Sequence, residues 1–199
     1  LHEAAHGYAA RHFGDHTAEL AGRISLNPLR HIDPVGTLLV PGLILVTSSL
    51  AAGSPMLFGW AKPVPVNFGR LNRPKADMLW VAAAGPFANL VMAIGWQLLF
   101  KIGYGMPENV YTQPLLQMAD AGIRINAVLM FLNLLPLPPL DGGRIMVSLL
   151  PASVAWKFAR IEPYGFPILL GLLFTGILGD ILEPLMALFR FALATAFGL

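Results

Sequence analysis

The sequence predicts an all-α polytopic membrane protein, a bundle of transmembrane helices with a re-entrant hairpin and room for a short β segment near its start. Three observations predict it. Of 199 residues, 56% are hydrophobic and 12% charged, with a mean hydropathy of +0.65, whereas a soluble domain carries about 25% charged residues to cover its surface. The few charges are segregated, so long charge-free runs remain. The 20 glycines and 17 prolines exceed what simple spanning helices need, which points to broken or re-entrant segments. The length fits one domain, and the apolar content excludes a disordered chain. The net charge of +2 is mild and reads as basic inner loops rather than nucleic-acid binding. The absence of cysteine excludes a disulfide framework and thiolate chemistry.

Residues 1–10 read as the end of a helix. The chain starts at Leu1 with a motif beginning at His2, so the start of that helix is expected upstream. Residues 14–35 are polar and mixed, with Asp15, Glu19, Arg23, Arg30 and Asp33, and 17–26 alternates enough to hold short strands. Charge-free runs follow at 36–61, 78–100, 125–140 and 164–179, and the stretch 185–199 is interrupted only by Arg190. Between them, 62–75 holds Lys62, Arg70, Arg73 and Lys75 with no acid, the best cytoplasmic loop in the chain. Trp60 and Trp80 flank that loop as interfacial anchors. The loop 101–117 fits the opposite side.

Two segments carry chemistry. His2-Glu3-Ala4-Ala5-His6 on a helix places two imidazoles one turn apart on one face, the spacing for a single zinc ion. Glu3 between them is then directed at the zinc-bound water as general base. Chance produces so short a pattern, but two histidines and a glutamate at membrane depth are costly unless functional. A third ligand is needed. His12 stands at the spacing of the extended metzincin motif, but Ala9 replaces the glycine that would turn the chain back, and six residues of helix rotate about 240° away from His6. Glu19 lies in a mixed polar stretch with no helical pattern.

The second segment, Asn133 to Gly143, reads NLLPLPPLDGG. Pro136, Pro138 and Pro139 end the apolar run in extended chain, and Gly142 and Gly143 permit a tight turn into a helix running to Leu150. Asp141 alone is an ordinary helix N-cap. Beside a zinc ion held by two neutral histidines it becomes the charge that completes a His₂Asp site with one open position. Arg144 either meets the Asp141 carboxylate or reaches the interface. His16 reads as solvated and His31 as a loop-fixing hydrogen bond before Pro34.

Together these residues make the sequence resemble the site-2 protease family of intramembrane zinc metalloproteases, peptidase family M50. The matching residues are His2, Glu3 and His6, then Asn133, Pro136, Pro138, Asp141 and Gly142. The stretches Leu26–Pro28, His31–Pro34, Gly59–Val66 and Gly85–Asn89 are similar to a bacterial and archaeal branch without a PDZ domain. The resemblance covers roughly residues 1–150, the protease core, leaving 151–199 as C-terminal membrane helices without a matching motif. It implies one zinc ion per chain on His2, His6 and Asp141, with Glu3 as the base. It also implies Asn133 and Asn89 near the substrate or the oxyanion. For Asn89, helix–helix packing with Gly85 is the competing reading.

The expected activity is hydrolysis of peptide bonds in or near transmembrane segments of a substrate protein, by an integral protein of a prokaryotic cell membrane. The expected partners are that substrate and the bilayer, with no nucleic acid. Two other classes compete: a catalytically silent membrane scaffold of the same fold, against which the intact Glu3 speaks, and a zinc transporter, which would need ligands strung along a path. The helix ending in Asp141 returns to the side of the basic loop, so the site is expected toward the cytoplasm. Residues 36–61, too short for two crossings of about 20 residues each, then dip in and return. Pro41, Gly42, Gly53 and Pro55 suit such a turn. A strand in 17–26 would hold the substrate extended by β-augmentation.

Overall fold

The computed structural model describes residues 1–52 and 59–199. Among the described residues every regular element is helical. In chain order these are α1 (His2–His12), α2 (Thr17–Leu20), a tight helical turn at Pro28–His31, a wide one at Pro34–Leu39, α3 (Val40–Ala52), a tight turn at Phe68–Arg70, α4 (Pro74–Tyr104), α5 (Thr112–Leu134), α6 (Asp141–Leu149), α7 (Ala152–Ala159), α8 (Glu162–Phe174) and α9 (Ile177–Phe197). By length and composition α4 and α5 can each cross a membrane, and α8 with α9, bent by 80° at their junction, make a third candidate span.

The central element is α4, which packs against α1, α5, α6 and α9. Small residues bring these helices close, as membrane packing requires. Ala93, Ala119 and Ala127 are completely buried, and a Cβ on Gly122 of α5 would lie 2.3 Å from the Trp96 ring of α4. Outward, Trp80, Phe87, Val91, Leu98 and Ile102 of α4 stay exposed, an apolar face that suits lipid rather than water.

Helix α5 begins well before the charge-free run that starts at residue 125. It carries Asp120 and Arg124 because they pair one turn apart at 2.8 Å, and Arg190 of α9 reaches the same carboxylate at 3.2 Å. Paired charges are tolerated where single ones are not.

The strands expected in 17–26 do not form. Residues 17–20 make one helical turn, whose backbone donors find local partners: Leu20 bonds His16, Ala21 bonds Thr17 and Arg23 bonds Ala18, at 2.8–3.1 Å. With those donors satisfied locally, residues 17–23 have no free N–H row to pair as a strand. The turn is held by Asp15, which is completely buried. Its carboxylate accepts the Thr17 N–H at 3.0 Å, the Thr17 hydroxyl, and the Asn67 N–H at 2.6 Å. Burial works to raise the pKa of Asp15, but these hydrogen bonds hold it below the usual carboxylate value. Asn72 also donates to the Phe13 carbonyl at 2.9 Å. The end of α1 and the start of α4 are thereby tied to the same end of the molecule.

The segment 36–61 returns to its origin among the described residues. Trp60 N–H bonds the Gly36 carbonyl at 2.9 Å, and the Thr37 hydroxyl donates to the Trp60 carbonyl at 2.9 Å. Lys62 N–H bonds the His31 carbonyl at 2.9 Å. Trp60 packs over Gly36 and edge-on against Phe166 of α8, 5.3 Å between ring centres. Its ring thus packs on one side while Trp60 stays exposed, as Trp80 does. Pro41 and Gly42 lie within the first turn of α3 rather than at a break. Gly53 and Pro55 lie outside the described residues.

Candidate metal centre

Three side chains from two distant helices converge. His2 and His6, four residues apart on α1, bring their Nε2 atoms within 3.1 Å of each other. Asp141, the first residue of α6, places Oδ2 at 3.2 Å from His2 Nε2 and 3.3 Å from His6 Nε2. Ligand atoms held tetrahedrally at zinc distances lie about 3.4 Å apart, so the spacing fits one ion. His6 and Asp141 are buried, and His2 is nearly so.

The protonation pattern makes the same demand. His6 Nδ1 lies 2.7 Å from the Val81 carbonyl, which can only accept, so Nδ1 carries the proton. The Nε2 of the neutral ring then presents a lone pair. Asp141 Oδ2 is buried without a hydrogen-bond donor. Acceptors directed at one point repel unless a cation sits among them. Two imidazole nitrogens and a carboxylate oxygen are the donor set of a catalytic zinc site.

The local sequence explains the convergence. Asp141 does not cap α6; its carboxylate makes no cap hydrogen bond and is left for the histidines. Gly142 and Gly143 serve proximity rather than a left-handed turn, because neither has positive φ. A Cβ on Gly142 would lie 2.3 Å from the Leu134 and Leu135 carbonyls, and one on Gly143 would lie 2.3 Å from Pro138 N. Only glycine lets the proline-rich segment fold flat against the start of α6. Arg144 is exposed, whereas the Asp141 carboxylate is buried.

Along α4, residues 81, 85 and 89 form one stripe facing α1. The Val81 carbonyl orients His6. Gly85 makes room for both rings: a Cβ there would meet His6 Nε2 at 2.4 Å and His2 Cε1 at 2.6 Å. Asn89, completely buried, sits 3.0 Å from His2 Nδ1. Glu3 is held from the other side, where its Oε2 accepts the Val64 N–H at 2.9 Å. Val64 lies between Pro63 and Pro65, which have no N–H to offer.

The structure thus brings His2, His6, Asp141 and Asn89 into direct contact. Asn133, half-buried near the end of α5, donates its amide to the Leu129 carbonyl of its own helix at 2.9 Å. His12 is exposed and packs on Phe13. Glu19 is exposed, bonded to Arg11 at 3.0 Å and His16 at 2.7 Å. His31 bonds the Ser25 carbonyl at 2.8 Å. The roles of the Val81 carbonyl and the Val64 N–H could not be read from side-chain types, because every residue has such groups. Gly85 and Asn89, four apart in an apolar run, were the visible signal of the stripe.

A family model described as Peptidase family M50 matches residues 99–175, a stretch that includes Asn133 and Asp141 but not α1. The "Putative zinc metalloprotease YwhC" of Bacillus subtilis is 42% identical over 189 residues, covering 94% of this chain and 80% of that protein. The "Putative zinc metalloprotease Rip2" of Mycolicibacterium smegmatis is 31% identical over 175 residues, covering 88% of this chain and 62% of that protein. The protein of the same name from Mycobacterium tuberculosis is 33% identical over 150 residues, covering 71% and 50% respectively. The chain thus spans half to four-fifths of the length of these relatives. No solved structure matches significantly.

Proposed function

The chain belongs to peptidase family M50 and is a zinc-dependent metalloprotease; on that premise we propose that it cleaves peptide bonds in or near the transmembrane segments of other proteins, with His2, His6 and Asp141 as the zinc ligands and Glu3 as the general base. The observation that carries the site is the convergence of His2, His6 and Asp141 within 4.8 Å of one another. Support for intramembrane chemistry comes from its depth along a candidate span. Gly85 and Asn89 lie 11 and 15 residues into α4, about 17 and 22 Å from its start at 1.5 Å per residue.

When bound, zinc supplies Lewis-acid polarisation of the scissile carbonyl and acidifies water. The protein's own residues do the rest. Val64 N–H fixes the Glu3 carboxylate, which takes a proton from the attacking water and gives it to the leaving amine nitrogen. The Val81 carbonyl keeps the His6 ring in register. Apolar α4 and α5 exclude bulk water, which strengthens each of these contacts. A substrate helix must unwind locally to present its carbonyl, because helical carbonyls are already hydrogen-bonded.

The test is cleavage of a model transmembrane substrate by the full-length protein in liposomes. Cleavage is expected to stop on zinc chelation and to return with added zinc. Zinc retained without any cleavage would favour the silent scaffold, and zinc flux across the bilayer would favour the transporter.

The reading places the centre toward the cytoplasm, where Lys62, Arg70, Arg73 and Lys75 lie beside the start of α4. It makes 36–61 a re-entrant segment with both ends on that side. Leu38 and Ala61 are exposed, and single cysteines there can be probed in this cysteine-free chain with a membrane-impermeant thiol reagent. Gly59 is unsuitable, since a Cβ would meet the Gly36 carbonyl at 2.5 Å. Both cysteines are expected to react only from the cytoplasmic face. Labelling from opposite faces would make the segment a simple span.

A further inference from the structure

The buried amide of Asn89 has one oxygen, Oδ1, with no hydrogen-bond partner, and one nitrogen, Nδ2, at 3.0 Å from His2 Nδ1. This arrangement conflicts with metal binding. If Nδ2 donates to His2 Nδ1, that nitrogen holds the lone pair and the ring proton of neutral His2 sits on Nε2, the atom facing His6 and Asp141. Neutral His2 could then not ligate. The two ends of an asparagine amide are interchangeable by a half-turn about its last torsion. Turned, Oδ1 accepts from His2 Nδ1–H, the stranded oxygen is satisfied, and the Nε2 lone pair faces the point where His6 Nε2 and Asp141 Oδ2 converge.

We propose that Asn89 is a positioning residue of the zinc site: through Oδ1 it holds His2 in the Nδ1–H tautomer, as the Val81 carbonyl does for His6. The inference rests on the zinc reading of His2, His6 and Asp141. It moves Asn89 from substrate contact, which its complete burial does not serve, to the support of a ligand. Both histidines then take their orientation from one stripe of α4, with Gly85 between the two supports leaving space for the rings. Such outer hydrogen bonds set the tautomer and raise the basicity of a ligating imidazole.

The experiment is zinc titration of the full-length protein in detergent against a chromogenic chelator, for wild type, Asn89→Asp, Asn89→Leu and Asp141→Ala. Asp141→Ala controls the site itself: if it binds zinc like wild type, the site assignment fails, independently of Asn89. With that control weakened, Asn89→Leu is expected to lose about 10–100-fold in affinity, and Asn89→Asp, which keeps an acceptor, to stay within about threefold of wild type. The proposal is overturned if Asn89→Leu binds like wild type, or if Asn89→Asp falls as far as Asn89→Leu.

Discussion

Glu3→Gln is expected to slow peptide hydrolysis by about 10²–10⁴-fold, the usual contribution of a general base, while the protein keeps its zinc. That loss corresponds to about 3–5 kcal/mol of transition-state stabilisation. The substitution is close to isosteric. A glutamine Oε1 can still accept the Val64 N–H that holds Glu3 at 2.9 Å, so the side chain keeps its anchor and loses only its basicity. The proposed ligands His2, His6 and Asp141 are untouched. The measurement pairs cleavage of a model transmembrane substrate with zinc content on the same preparation. Residual activity above about a hundredth of wild type would remove Glu3 from the base role. Loss of zinc together with activity would make it a ligand or a structural support instead.

Asp141→Ala is expected to reduce zinc affinity by more than the 10–100-fold typical of removing a hydrogen bond to a ligand, because on the proposed reading it removes a ligand and the site's negative charge together. Two neutral imidazoles remain, 3.1 Å apart. His12→Ala and Glu19→Ala are expected to keep zinc at the wild-type level, since both side chains are exposed and their contacts lie with Phe13, Arg11 and His16. Zinc content after dialysis decides between them. Loss of metal from the His12 variant with retention in the Asp141 variant would establish a metzincin-like third ligand.

The convergence of His2, His6 and Asp141 was legible because its logic is local or chemical. The His2–His6 spacing is a property of any helix, so two imidazoles on one face followed without the fold. The rotation that carries His12 away from His6 is equally local. Asp141 was legible by electrostatics, as a carboxylate between apolar segments that lacked a cation. Less local features were not legible. The charge-free run starts at residue 125, and α5 extends back past Asp120 and Arg124 because folding brings their neutralising partners, one another and Arg190, together. Alternation in 17–26 suggested strands, but strand formation depends on a partner edge, and the donors of Leu20, Ala21 and Arg23 are satisfied within a helical turn held by Asp15.

What the sequence by itself determined is the class of chemistry and the medium. The rarity of charge marks the chain for a bilayer, and each motif supplies a ligand geometry through its own backbone periodicity. What only the tertiary structure decided is which groups complete the site. The approach of α1 to α4 brings the Val81 carbonyl and the Asn89 amide to the far nitrogens of His6 and His2, and the segment before α4 brings the Val64 N–H to Glu3. The same approach explains why position 85 is glycine, since any side chain there would enter the imidazole rings. The physical reason is that backbone donors and acceptors are identical along a chain. Only packing decides which of them stands 3 Å from a functional nitrogen, and so which tautomer that nitrogen adopts.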